Sequence, residues 1–304
     1  MATSEIFVDN PSAVSWRSYY DLTKPKVVGL IVFTALVGML LSVPGAVPLP
    51  TLVFGLLGIG LAASAGAVVN HVVDQRIDAI MERTRDRPLP THRMDTPHAT
   101  AFALVLTVIS MMVLTVLVNP LTALLTFAAL IGYAVIYTMF LKRSTPQNIV
   151  WGGIAGAAPP LLGWVAVTGE LHSNALILLL IIFVWTPPHF WALAIRRRDE
   201  YARADVPMLP VTHGVRFTKH QIFLYTLMLL AVTLMPVVVH MSGVLYLVGA
   251  LSLGLGFIYH AGKLMLSDGD GHAMKTFGYS IFYLTALFAC LLVDHYLQPL
   301  LTTA

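Results

Sequence analysis

Charge is scarce in this chain. Only 11% of its 304 residues are Asp, Glu, Lys or Arg, against about 25% in a typical soluble domain. That leaves too little polar surface to cover a globule in water. It excludes an ordinary soluble protein and leaves a polytopic membrane protein as the class. Cysteine is nearly absent as well: Cys290 stands alone in an apolar run, which excludes an internal disulfide. The first residues, "MATSEIFVDNPSAVSW", hold Glu5 and Asp9 but no Arg before Arg17, with no basic stretch ahead of an apolar core and no small-residue cleavage pattern. Neither a secretory signal nor an acid-poor transit peptide fits. Residues 1–25 are expected to form a cytoplasmic tail and interfacial segment.

What is abundant is apolar sequence, 57% of the residues. A helix needs about 20 mostly apolar residues to cross a bilayer. Nine segments qualify, near 26–43, 51–73, 98–118, 120–140, 147–168, 173–195, 218–239, 243–262 and 277–297. Helices are expected throughout, because an open sheet edge cannot sit in lipid. The expected fold is an all-α bundle of nine transmembrane helices forming a single domain over 26–297, with 298–304 as a short tail. With alternating crossings, all 18 Lys and Arg fall on the side of the N-terminus and none on the other. The positive-inside rule then places the N-terminus in the cytoplasm and the C-terminus outside.

Acidic residues cluster on that same side in two long segments. Asp74, Asp78, Glu82, Asp86 and Asp95 follow the second span; Asp199, Glu200 and Asp205 follow the sixth. These are equivalent places in a four-plus-four arrangement. In "NHVVDQRIDAIMERTRDRPLP", residues 70–90, Asn70, Asp74 and Asp78 recur every four residues. On a helix they share one face, with about 6 Å of rise between them. Two such carboxylates repel each other unless a cation or arginines intervene. Magnesium suits them, since it takes oxygen ligands, keeps waters, and prefers one or two carboxylates plus a substrate phosphate. Arg83 and Arg87 follow, again four apart, and guanidinium is the group suited to bidentate phosphate recognition. The plainer alternative is a solvated helix end in which Asp74 and Asp78 pair with Arg76 or Arg83. Asn70, deeper in the span, is costly to bury unpaired and weighs for a site.

The motif resembles the N-x-x-x-D-x-x-x-D…R-T-x-x-R-P-L pattern of UbiA-type intramembrane prenyltransferases. "YYDLTKPKVVGLIVFTALVG" at 19–38, "NIVWGGIAGAAPPLLGWVAVTG" at 148–169, "WTPPHFWALAI" at 185–195, "YARADVPMLPV" at 201–211 and "YSIFYLTALFACLLVD" at 279–294 are similar to the heme O synthase branch of that family. The resemblance implies a helical bundle whose central cavity is capped by the two acidic loops. It also implies transfer of a farnesyl group from farnesyl diphosphate to a vinyl group of heme B, with water addition, to give heme O in a bacterial inner membrane. Hand-over of the product to heme A synthase or a terminal oxidase is implied too. Carried over residue by residue, Asn70, Asp74 and Asp78 match the first metal motif, and Arg83 and Arg87 the diphosphate-binding arginines. In the second segment, "RRRDEYARAD" departs from a strict Asp-x-x-x-Asp because Arg203 stands where the second Asp would fall. Asp199 and Glu200 are carried over as metal-site residues, and Asp205 reads as an ordinary loop charge.

Other residues carry two readings each. Lys142 and Arg143, behind Tyr133 and Tyr137, can reach a diphosphate from a facing helix, with Tyr137 as a further diphosphate-binding residue, or simply set orientation; the same two readings hold for Lys24 and Lys26. Arg196, Arg197 and Arg198 suit heme propionates or anionic lipid headgroups. His189 is the candidate heme neighbour or iron ligand, beside Pro187 and Pro188, which are expected to interrupt backbone pairing there; a hydrogen-bonded interior histidine is the alternative. The glycines at 152, 153, 156, 163 and 169 suit close helix packing or cavity space for a flat macrocycle. "SDGDG" at 267–271 lacks the remaining ligands of a calcium loop and reads as a turn. Rival functions are prenyl transfer to an aromatic acceptor such as 4-hydroxybenzoate, a cation-coupled transporter, and a heme chaperone. Acids at the inner edge instead of the midplane tell against the transporter.

Overall fold

The computed structural model describes residues 14–302, and among them there is no β-strand. Its long helices are α1 (Trp16–Leu22), α2 (Pro25–Leu41), α3 (Leu49–Ile80) and α4 (Thr96–Leu117). They continue with α5 (Pro120–Ser144), α6 (Asn148–Thr168), α7 (Ser173–Arg196), α8 (Gly214–Val238), α9 (Val244–Leu266) and α10 (Ala273–Thr302). Eight of these are long and apolar enough to cross a membrane, or nine if α1 and α2, bent by 52°, make one span. The chain is a multi-pass membrane protein. Its helices bury a shared core inside and present large apolar side chains such as Leu104, Phe127, Leu255 and Phe282 outward.

Several boundaries differ from the expected ones, for physical reasons. The second span does not stop near 73; α3 continues to Ile80. At 32 residues it is about 48 Å long, against a hydrocarbon core of about 30 Å. The two extra turns carry Asp74 and Asp78, whose burial and pairing hold them helical. The last helix extends to Thr302, into the stretch expected to be a tail, while the expected tail at 1–13 lies outside the described residues. Pro187 and Pro188 do not interrupt α7, which runs unbroken from Ser173 to Arg196. The carbonyls that lose a backbone donor are those of Phe183 and Val184, and burial among neighbouring helices shelters them.

Close backbone approach builds the bundle. A Cβ added at Gly163 in α6 would lie 2.0 Å from the Ala35 carbonyl oxygen of α2, and one at Gly38 would lie 2.0 Å from the Pro160 oxygen. Gly152 leaves room for the Tyr137 ring, and Gly153 for Thr186. Packing therefore accounts for most of the glycine-rich stretch. At the end free of Lys and Arg, buried Asp294 of α10 accepts from the Gly243 amide at 2.6 Å and the Tyr246 amide at 3.1 Å, capping α9 from another helix. His295 donates through Nε2 to the Val43 carbonyl at 3.0 Å, joining the last helix to the turn after α2.

Candidate active site

The basic end of the bundle holds a buried polar cluster. Asn70, Asp74 and Asp78 are only 6%, 1% and 3% exposed. Asn70 Nδ2 donates to Asp74 Oδ2 at 2.6 Å, so the amide oxygen faces the other way, where it accepts from Lys24 Nζ. Lys142 Nζ reaches Asp74 Oδ2 at 2.5 Å. Arg87 Nη1 reaches Asp78 Oδ2 at 2.7 Å. Thr84 clamps the end of α3 by donating to the Asp78 carbonyl at 3.0 Å. The carboxylates thus escape mutual repulsion through two cations from different segments, Lys142 on Asp74 and Arg87 on Asp78, while Lys24 meets the Asn70 amide. The solvated helix end, with Arg76 or Arg83 as partner, is not what forms.

Local sequence explains how those cations arrive. Lys24 sits at the break between α1 and α2 with φ 51° and ψ 60°. A left-handed conformation is costly for a side chain larger than glycine; Pro25 fixes the helix start just after it, and the kink turns the ammonium toward Asn70. Lys142 follows a π-helical stretch, Gly132–Leu141, inside α5. Such stretches are rare and collect at functional sites. Here the wider turn stacks Tyr133 and Tyr137 at 5.7 Å and delivers Lys142 one step later. Asn148 holds that position by donating to the Lys142 carbonyl at 3.2 Å.

Two polar groups are left open. Asp74 Oδ1 is buried with no partner, as are both ring nitrogens of His71. An unpaired buried carboxylate oxygen costs several kcal/mol, so Asp74 Oδ1, beside the Asn70 amide, fits a hard cation. His71 adjoins the polar stripe and is 2% exposed. A step of four advances a helix by about 40° beyond a full turn, so Asp78 lies about 80° around from Asn70 and His71 about 100°.

The second acidic segment is arranged differently. It forms a short helix, Arg198–Arg203. Glu200 is mostly buried against Arg197 at 2.9 Å, whereas the Asp199 side chain is 82% exposed beside Arg198. Glu200 Oε2 is buried and unpaired. Burial of Tyr201, next along, raises its phenol and keeps it neutral. Arg198 also reaches Asp270 at 2.5 Å, and buried Lys219 donates to the Ser267 and Gly269 carbonyls at 2.8 and 3.1 Å. The 267–271 stretch is the turn expected, tied to the second acidic segment. Asp205 is exposed in a left-handed turn, φ 52°. A cavity of about 380 Å³ opens here, lined by Glu82, Arg196, Arg197, Asp199, Glu200 and Arg203; through Glu82 it joins the two acidic segments. Among the described residues, no three His, Cys, Asp or Glu side chains gather to hold a metal. Asp74 and Asp78 stand together on α3, and Asp199 and Glu200 stand on the separate short helix of the second segment. Arg83 and Arg143 are exposed and stand outside the buried ion pairs.

His189 lies in a separate aromatic stack. Its ring is 4.2 Å from Trp185 and 4.6 Å from Phe277, centroid to centroid. Ser280 Oγ donates to the Phe277 carbonyl at 2.6 Å and so accepts from His189 Nδ1 at 2.7 Å. The Nδ1–H tautomer follows, with the Nε2 lone pair free.

The model of the UbiA prenyltransferase family matches residues 31–291. The chain belongs to that family. UbiA-type relatives in sequence include the protoheme IX farnesyltransferase of Thioalkalivibrio sulfidiphilus, 66% identical over 99% of this chain and 100% of its own length. The protoheme IX farnesyltransferase of Nitrosococcus oceani is 61% identical over 94% of this chain and 96% of its own. Among solved structures, an apo UbiA homolog from Aeropyrum pernix K1 superposes with a TM-score of 0.73 at 20% identity, covering 88% of this chain and 98% of that one. A UbiA homolog from Archaeoglobus fulgidus bound to DMAPP and Mg2+ gives 0.61 at 15% identity, covering 90% and 99%. These two establish the shared fold.

Proposed function

We propose that this UbiA-family enzyme transfers the farnesyl group of farnesyl diphosphate to a vinyl group of heme B, with addition of water, yielding heme O and diphosphate. The observation that carries the reading is the buried pair Asp74 and Asp78, each held by a cation, with Asp74 Oδ1 left open. Two carboxylates, an amide and several cations at one membrane edge suit a diphosphate bound with Mg2+. When bound, Mg2+ supplies positive charge to the diphosphate as its C–O bond breaks. Asp74, Asp78 and Asn70 would hold it, with Glu200 approaching from the second segment; Asp199, exposed as it is, would join only through a turn of its short helix.

The chain's own residues do the rest. Lys142, Arg87 and Lys24 take up the negative charge that develops on the leaving oxygens. Arg83 and Arg143 extend that basic rim, and the Tyr137 hydroxyl adds a donor for the diphosphate. The electron pair of the C–O bond leaves with diphosphate. The allylic cation accepts the π-electrons of the vinyl group, and the cation that remains on the heme side adds water and loses a proton. Both cations must meet no earlier water, which apolar walls ensure. His189, with Nδ1 committed to Ser280, presents Nε2 to the heme. The enzyme works in the bacterial inner membrane with its basic end and N-terminus cytoplasmic, and its product passes to heme A synthase or a terminal oxidase.

Incubation with farnesyl diphosphate, heme B and Mg2+, followed by mass analysis of extracted heme, tests the reaction. Heme O is the expected product; farnesylated 4-hydroxybenzoate in its place would assign the aromatic acceptor. Arg87→Ala raises the apparent KM for farnesyl diphosphate about tenfold or more, the scale of one charge-assisted hydrogen bond; an unchanged KM removes Arg87 from the site. His189→Ala shifts the absorption spectrum of bound heme, and an unaltered spectrum assigns the ring to packing alone.

A further inference from the structure

A second polar cluster lies at the basic end, between α9 and α10. The rings of His260 and His272 are 5.8 Å apart and tilted by 31°. His260 Nδ1 and His272 Nε2 are both buried without a partner. The rings are held in place. His260 stacks on Tyr279 at 4.6 Å and meets the edge of Tyr259 at 5.5 Å. Tyr279 is anchored by its hydroxyl on the Leu253 carbonyl at 3.0 Å, and Thr276 bonds both the His260 and His272 carbonyls. Each histidine has a lysine three residues on: Lys263 on the same face of α9 as His260, and Lys275 in the first turn of α10, just after His272. Lys263 Nζ lies 4.6 Å from the Tyr259 ring centroid, and both lysines are exposed.

Two rigid imidazoles with unpaired nitrogens can take either a cation, through lone pairs, or an anion, through N–H groups. The two ammonium groups decide between them. They repel a divalent cation and attract an oxyanion. The cluster also sits at the end where the spans leave the apolar layer, the depth of lipid phosphates. We propose that His260, His272, Lys263 and Lys275 form an oxyanion site that takes the phosphate or carboxylate head of a membrane amphiphile. Two sources carry that chemistry: an anionic phospholipid, or heme through its propionates.

The test uses the full chain in nanodiscs and needs no turnover, so it stands apart from the farnesyl-transfer reading. One arm measures retention of phosphatidylglycerol against phosphatidylcholine by native mass spectrometry. The other titrates heme B into phosphatidylcholine discs by absorbance. His260→Phe/His272→Phe and Lys263→Gln/Lys275→Gln are compared with the unaltered chain; the lysine pair is exposed, so it folds even if the histidine pair does not. Both double variants weaken binding about tenfold in one arm, and that arm names the source. Equal binding by all three proteins in both arms overturns the site. So does Zn2+ binding by the unaltered chain that is lost in the histidine variant and kept in the lysine variant, because the imidazoles would then serve as lone-pair donors.

Discussion

Asp74→Asn and Asp78→Asn each lower farnesyl transfer by at least about 10²-fold, even at saturating Mg2+, while the protein still inserts and binds heme. The magnitude is that of losing one preorganised charge from a site where charge develops. Asparagine keeps the shape of the side chain, so packing in α3 is retained. What changes is the charge balance. Asp74 and Asp78 are 1% and 3% exposed, and each is the ionic partner of one cation, Lys142 at 2.5 Å or Arg87 at 2.7 Å. Removing either carboxylate leaves a cation with no counter-charge in a sheltered place and weakens the hold on a divalent ion. The two variants differ in detail: Asp74→Asn also removes the open oxygen beside Asn70 and is the more severe. Diphosphate release and heme O formation, measured together, check this. Full turnover in either variant would remove the carboxylates from the reaction.

Gly163→Ala and Gly38→Ala fail through structure alone. At both positions the added methyl would lie 2.0 Å from a backbone oxygen of the facing helix. A flexible side chain could move away; a helix backbone cannot, because its own packing holds it. Relief requires α2 and α6 to separate along their length, at a cost of about 3 kcal/mol or more, the upper end of overpacking penalties. Gly156→Ala is the matched control, since nothing lies within 4 Å of a Cβ there. Thermal unfolding in detergent checks the contrast: a drop of several degrees for Gly163→Ala and Gly38→Ala, and none for Gly156→Ala. Equal melting temperatures in all three would show that the α2–α6 crossing is loose.

Composition and the placement of Lys and Arg were enough to establish a helical membrane bundle, because lipid permits few alternatives for an unpaired backbone. The stripe Asn70, Asp74, Asp78 was legible too, since a helix converts spacing into a shared face. What spacing could not reveal was which cations meet that stripe. Arg87 was in view nine residues on, but Lys142 and Lys24 come from distant segments. Their arrival depends on a π-helical stretch and a left-handed kink that no periodicity announces. Pro187 and Pro188 remove two backbone donors, as expected, and burial among neighbouring helices carries α7 through them. The second acidic segment shows the limit most clearly: Asp199 and Glu200 are neighbours in sequence, but one faces water and the other is mostly sheltered against Arg197. Residue type and order determined which charges lie at the membrane edge. Only the crossing of the helices decided which of them are shielded from water, and shielding is what gives a charge its strength.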